Sequence, residues 1–356
     1  MRMKQIKAMA AAGVMAAVLC AGTGLNVKAD VPQAGTQDAS IEKNLHIADG
    51  ITVPTTTFTF RFAKVTPDAP DIPDKAVDYS NKDTVSEHKV TKTAESILSG
   101  VTFPHAGEFV YMLTEEIPKD NTLEGGKMTY DTSEWTLRIY VKNTASGDLE
   151  VSNITASKEG NEKKQEKIFF DNKFEKTTTL EVEKQTEGEL ADRTKKFDFV
   201  IRFAKAPTLD EGITSFTTSD GRTYEYGKDH EFKLSDDEKI VFDNLPAGTT
   251  YEVVENGAKD NYVPSVKVTE NGAMKEIKLD KAHEAEALSS TQVHEEGKLN
   301  LAGEGKNHVT FTNTIDNADV PVTGVMMNSM PYIILMLAAG AGFIGYIIVK
   351  RHHTTL

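Results

Sequence analysis

One cysteine, Cys20, stands among 356 residues, so no intrachain disulfide and no thiolate metal cluster is possible. Positive charge is also short: 40 Lys and Arg face 54 Asp and Glu, a net charge of −14. A chain this acidic repels phosphate, and no basic stripe interleaved with aromatics offsets the excess locally, which excludes nucleic acid as a partner. The nine histidines are scattered apart from His352-His353, and there is no His-Glu-x-x-His or Gly-rich phosphate loop. Metal and nucleotide cofactors therefore find no support. Long apolar runs are missing except at the two ends, which rules out a polytopic membrane protein. What remains is 39% hydrophobic and 26% charged, an ordinary globular composition long enough for about two domains.

The ends set the compartment. Arg2, Lys4 and Lys7 precede an apolar run from Ala8 to Leu19, and Val27-Lys28-Ala29 supplies small side chains where a signal peptidase cuts. Residues 1–29 thus read as a secretory signal that carries Cys20 away with it; Leu19 stands where a lipoprotein site needs a small residue. At the other end Pro331 to Val349 is uncharged and long enough for one helix across about 30 Å of hydrocarbon. Lys350-Arg351-His352-His353 follows as a cytoplasmic stop. By itself this is a plain anchor. Just before it, however, Val320-Pro321-Val322-Thr323-Gly324 resembles the Leu-Pro-x-Thr-Gly sorting signal of Gram-positive surface proteins, and residues 318–356 keep the order pentapeptide, spacer, span and basic tail. The resemblance implies that a sortase cysteine attacks the carbonyl of Thr323, releases the chain from Gly324 onward and passes the acyl group to an amine. Val320 in place of leucine is more at home in pilins handled by a dedicated sortase. Signal and tail carry six basic and no acidic residues, so residues 30–323 hold an excess of 20 negative charges (54 − 34).

Between the ends the chain alternates in short strands. Thr57 to Phe62, Glu108 to Leu113, Trp135 to Val141 and Phe197 to Phe203 show period-two patterning rich in aromatics, Thr and Val, and Ser219-Asp220-Gly221 marks a hairpin turn. Helical periodicity is confined to Thr91 to Leu98 and Asp280 to Leu288. The reading is a mostly β chain of two sandwiches. An internal repeat agrees, since Phe60-Arg61-Phe62-Ala63-Lys64 recurs as Ile201-Arg202-Phe203-Ala204-Lys205 at an offset of 141 (201 − 60). The domains are expected at residues 30–175 and 176–317, with the boundary in the polar stretch Glu175 to Thr179.

Each repeat carries charged residues on its apolar face. Lys43 shares parity with Ile41 and Leu45, and Lys184 with Leu180 and Val182, so alternation points both lysines inward. Glu115 follows Tyr111 and Leu113, and Glu255 follows Tyr251 and Val253, in the same phase; Asn172 and Asn313 stand two residues after Phe170 and Phe311. The spacings match: 141 between the lysines (184 − 43), 140 between the glutamates (255 − 115) and 141 between the asparagines (313 − 172). A buried ammonium costs several kcal/mol unless paired, so each inward lysine needs a reason.

This Lys, Glu, Asn constellation resembles the autocatalytic isopeptide bond of Gram-positive surface domains with an immunoglobulin-like (CnaB-like) fold. The resemblance implies bonds Lys43–Asn172 and Lys184–Asn313 between adjacent first and last strands, with Glu115 and Glu255 as the catalytic carboxyls. Desolvation lowers the lysine pKa and raises the carboxyl's. A neutral amine then attacks the amide carbon while the protonated Glu polarises the carbonyl oxygen and shuttles protons, and ammonia leaves. Proximity contributes roughly 7–11 kcal/mol of such a barrier.

Ile41 to Leu45, Gly107 to Glu116, Tyr130-Asp131-Thr132-Ser133 and Thr178 to Val182 are similar to the two-domain backbone pilin of streptococci, the T-antigen type. That family implies a secreted, wall-anchored shaft subunit that is no enzyme beyond its single-turnover cross-linking. A lysine near the end of the first domain resolves the acyl-enzyme of the next subunit; Lys163 and Lys164 are the first choices, then Lys167 and Lys158. The expected partners are further copies of the chain, a pilus-specific sortase, ancillary pilins and peptidoglycan. A monomeric wall-anchored adhesin or an ancillary pilin built from the same domains is the alternative; a wall-bound hydrolase lacks any nucleophile–base motif.

Overall fold

The computed structural model describes residues 39–160, 167–280, 283, 285–295 and 297–315. Ten strands build the first half: β1 (Ile41–Ile47), β2 (Thr56–Lys64), β3 (Lys75–Tyr79), β4 (Lys89–Thr93), β5 (Gly107–Glu115), β6 (Thr122–Leu123), β7 (Gly126–Thr129), β8 (Trp135–Asn143), β9 (Leu149–Lys158) and β10 (Ile168–Glu175). The second half adds β11 (Thr177–Glu187), β12 (Phe197–Ala204), β13 (Ser215–Thr217), β14 (Thr223–Glu225), β15 (Asp229–Leu234), β16 (Lys239–Pro246), β17 (Thr249–Glu255), β18 (Val263–Glu270), β19 (Ala273–Lys278), β20 (Leu288–Ser289), β21 (Asn300–Ala302) and β22 (Asn307–Thr314). Among the described residues there is no α-helix, and Ser290–Val293 forms a single turn of 3-10 helix.

The strands form two tandem immunoglobulin-like sandwiches. In the first, a sheet ordered β4-β1-β10-β7-β6 faces one ordered β3-β2-β5-β8-β9. In the second, β16-β11-β22-β18-β19 faces β15-β12-β17-β20, with β21 also on β17 and β13-β14 as a separate hairpin. Each half encloses its own aromatic core, around Phe60, Tyr111, Trp135 and Phe170 in one and Phe199, Phe203, Tyr251 and Phe311 in the other. Inward positions alternate as the sequence does: in β10, Ile168, Phe170, Asn172 and Phe174 are buried and the residues between them are not.

In both halves the first and last strands lie side by side and parallel. β1 pairs with β10, setting Lys43 opposite Phe170 and Leu45 opposite Asn172. β11 pairs with β22, setting Lys184 opposite Phe311 and Thr186 opposite Asn313. Lysine and asparagine are thus diagonal neighbours on one face, a separation of about 7–8 Å that a lysine stem spans. Lys176 alone separates β10 from β11.

The hairpin at Ser219-Asp220-Gly221 forms between β13 and β14, closed by the Gly221 N–H on the Thr218 carbonyl at 2.9 Å, with Gly221 at φ +85°. The first helical expectation fails, and the second is met only by a 3-10 turn at His283 among the described residues. Thr91 to Thr93 belong to β4, and the amides of Ala94 and Ile97 bond the carbonyls of Ile41 and Ala39, so the edge of β1 takes the donors a helix would use. In the second stretch His283 and Glu286 close successive three-residue turns, and Leu288 enters β20 opposite Glu255. The first stretch is short, and a sheet edge satisfies its backbone better than one or two helical turns do.

Candidate cross-linking sites

The structure brings Lys43, Glu115 and Asn172 together between the two sheets of the first sandwich. Lys43 is fully buried on β1, its Nζ 2.7 Å from Glu115 Oε2 and 4.6 Å from the centre of the Phe58 ring. Asn172 on β10 donates from Nδ2 to Glu115 Oε1 at 2.5 Å. Its Oδ1 accepts the backbone N–H of Asp131 at 2.7 Å. The Tyr79 hydroxyl, donated to the Lys43 carbonyl at 2.6 Å, holds β1 at this point. Glu115 therefore touches the lysine nitrogen and the amide nitrogen, while the amide oxygen faces a backbone donor. The expectation that the glutamate sits on the carbonyl oxygen is not met in this site, because Asp131 already occupies that position.

Lys184, Glu255 and Asn313 meet in the second sandwich. Lys184 is fully buried, 3.3 Å from Glu255 Oε1 and 4.5 Å from the centre of the Phe197 ring. Its ammonium also donates to the carbonyls of Gln185 at 3.0 Å and Phe311 at 3.3 Å. Asn313 Nδ2 reaches the same Glu255 Oε1 at 2.8 Å. Glu255 Oε2 and Asn313 Oδ1 are buried without a hydrogen-bond partner among the described residues.

Electrostatics follow from the burial. Desolvation pushes the Lys43 and Lys184 ammonium groups down to about 8 each, against the attraction of Glu115 and Glu255. The same desolvation raises both glutamates, opposed by the lysines. Both members of each pair move toward the neutral form, in which an amine is a nucleophile and a carboxyl holds a transferable proton.

Asp131 carries no functional signal in the sequence beyond its place in Tyr130-Asp131-Thr132-Ser133. An Asp two residues before a Ser is an Asx-turn pattern, and that was the available clue. Lys163, Lys164, Thr323, Gly324, the signal at residues 1–29 and the span Pro331 to Val349 lie outside the described residues.

The fold and the two buried triads define an all-β class of tandem sandwiches, each with a Lys–Glu–Asn cluster between its sheets. Residues 39–175 match the family described as Spy0128-like isopeptide containing domain, and residues 178–315 match one described as a domain of unknown function (DUF7601). A pilin of Streptococcus pyogenes serotype M1 is 31% identical over 340 residues, covering 88% of this chain and 90% of that protein. The pilus tip adhesin Cpa of Streptococcus pyogenes is 34% identical over 84 residues, 24% of this chain and 12% of its own length. The crystal structure of the major pilin from Streptococcus pyogenes covers 78% of this chain and 98% of its own at 27% identity, with a TM-score of 0.36. The chain belongs to the streptococcal pilin family, whose members are structural proteins of the cell-surface pilus.

Proposed function

We propose that the chain is the shaft subunit of a covalent pilus, with residues 30–175 and 176–317 as its two domains and amide bonds Lys43–Asn172 and Lys184–Asn313 inside them. A sortase cleaves between Thr323 and Gly324 and joins Thr323 to Lys163 or Lys164 of the next copy; the pilus base is linked to peptidoglycan, and ancillary pilins decorate it. The observation that carries this reading is the pair of fully buried Lys–Glu–Asn triads on parallel first and last strands. Such ion pairs are weak stabilisers, since desolvation offsets their attraction. They are well suited to a condensation that removes both charges.

The chain path supports head-to-tail linkage. Lys167 adjoins the start of β10, where Ile168 lies opposite Ile41. β10 runs from there into β11, and Ile315 follows β22 beside Glu187, at the far end of the parallel pair. The linking-lysine segment and the sorting signal thus attach at opposite poles.

The test is a boiled, reducing denaturing gel of wall extract from cells producing the chain. The expected result is a series of bands rising by one subunit, lost in the Lys163→Ala, Lys164→Ala double variant and in Thr323→Ala. A single wall-linked band in the unmodified chain would instead support a monomeric adhesin.

A further inference from the structure

The two sites differ at one atom, the amide oxygen. A backbone N–H only donates, so the atom of Asn172 that meets the Asp131 amide at 2.7 Å is Oδ1, and Nδ2 is turned to Glu115. The ladder between β7 and β10 ends at Thr129 opposite Lys173. One more step would set Tyr130 against Asn172, but the chain leaves the sheet there. The Asp131 carboxylate fixes the departure: Oδ1 accepts the N–H of Ser133 at 2.8 Å and the Ser133 hydroxyl, and Oδ2 accepts the N–H of Asp171 at 2.9 Å. In the second half, Val263 opposite Thr314 holds the position of Thr129 opposite Lys173, and there the strand continues, with Pro264 opposite Asn313 and Ser265 opposite Thr312. Proline has no N–H to offer. Asn313 Oδ1 is left buried and without a partner among the described residues.

We infer that the backbone N–H of Asp131 is the oxyanion donor of the first site, aimed by its own side chain, and that the second site has no counterpart. The inference rests on the cross-linking reading above. In the first site Glu115 bridges nucleophile and leaving group, with one oxygen on Nζ and the other on Nδ2. A proton passes from Nζ to Glu115. The Nζ lone pair attacks Cγ of Asn172, and the carbonyl pair moves onto Oδ1 against the Asp131 N–H. Glu115 gives its proton to Nδ2 and takes another from Nζ; the pair on Oδ1 returns, the Cγ–Nδ2 bond breaks, and ammonia leaves. In the second site Glu255 has to serve the carbonyl as well as both nitrogens, so that bond forms more slowly.

The experiment follows the full chain made by cell-free translation, quenched in acid denaturant at intervals and digested, with each cross-linked peptide quantified by mass. In the unmodified chain the Lys43–Asn172 peptide accumulates before the Lys184–Asn313 peptide. Asp131→Pro deletes the N–H and slows the first link by roughly 10²–10³, the effect of losing one oxyanion donor. The second link in the same molecules keeps its pace; the Asp131 carboxylate also raises the Lys43 and Glu115 pKa values, so the first link is compared in each chain at the pH of its own maximum. Trp135, fully buried four residues away and the lone tryptophan, reports local folding by its emission. If Asp131→Pro does not fold, Asp131→Ala against Asp131→Asn decides: Ala slows the first link, and Asn, which still accepts from Ser133 but not from the Asp171 N–H, restores it in part. An unaltered first link in a folded Asp131→Pro, or in Asp131→Ala, overturns the inference. An unmodified chain that keeps both ammonias overturns the cross-linking reading itself.

Discussion

At the scale of the residue the protein is defined by two lysines folded wholly beneath its surface. Lys43 and Lys184 are fully buried, and each has one carboxylate for its charge. The reactive form of either pair holds a single proton, on the carboxyl. Below the raised pKa of Glu115 both groups are protonated and the amine is no nucleophile; above about 8, where Lys43 titrates, the pair has lost the proton that the leaving ammonia requires. The rate of ammonia loss should therefore trace a bell against pH, with its alkaline limb near 8. A monotonic rise through pH 10, read by intact mass at timed intervals, would contradict it. An unlinked variant, Asn172→Ala, isolates the linkage. Folded Lys43 titrates near 8 and the unfolded side chain at its ordinary 10.5, so between those values the unfolded state binds more protons and stability should climb with pH. Urea midpoints at pH 8 and pH 10 measure it; the linked chain, whose Nζ is then an amide, should show no such climb.

Elements show how much of this was legible. Phase alone located Lys43, Glu115 and Asn172, since each lies two or four residues from an obligate core side chain on a strand of strict alternation, as Glu115 does after Tyr111 and Leu113 in β5. Central strands such as β2, β5, β8 and β12 read clearly for the same reason. Short edge strands did not, β6 and β20 having two residues each and no period to detect. β4 read as helical because its amides are satisfied by β1, a partner far away in sequence. Asp131 escaped because its function is carried by a backbone N–H, which no residue type announces. The element-scale prediction concerns the parallel pair β1 and β10. A bond from Lys43 to Asn172 closes a loop of 129 residues (172 − 43). By the loop-entropy argument for cross-links, its loss should cost about 5 kcal/mol of stability. Glu115→Ala, confirmed as unlinked by a mass about 17 Da above that expected for a linked chain of its own sequence, should show that drop in a denaturant titration; an unchanged midpoint would mean that the link does not constrain the unfolded state.

On the scale of the molecule the two halves are joined as well as tandem. Glu304 accepts the Lys176 ammonium at 2.7 Å and the Thr52 N–H at 3.0 Å, its own N–H reaches the Gly50 carbonyl at 2.8 Å, and Lys173 pairs with Asp210 at 2.9 Å. Gly248, at φ +91°, packs so closely on Ala48 that a Cβ would collide with it, so the joint also requires glycine there. Load applied at the linking-lysine segment enters β10, crosses Lys176 into β11 and leaves through β22. On that path the two proposed cross-links would be unequal. Lys184–Asn313 lies between the points of load and would pass force directly from β11 to β22, shielding the 128 residues from Gln185 to Thr312 (312 − 184). A Lys43–Asn172 bond would tie β10 to β1, which is off the path, and would shield nothing in series. Residues 30–323 contain no cysteine, so thiols introduced by Lys167→Cys and Ile315→Cys give unique handles. Pulled between them, the Glu255→Ala chain should lengthen by about 450 Å more than the parent, the 128 residues at roughly 3.3–3.6 Å each. Glu115→Ala should release no comparable length. Equal extension in the two variants would show that load does not travel from β11 to β22 through the second cross-link.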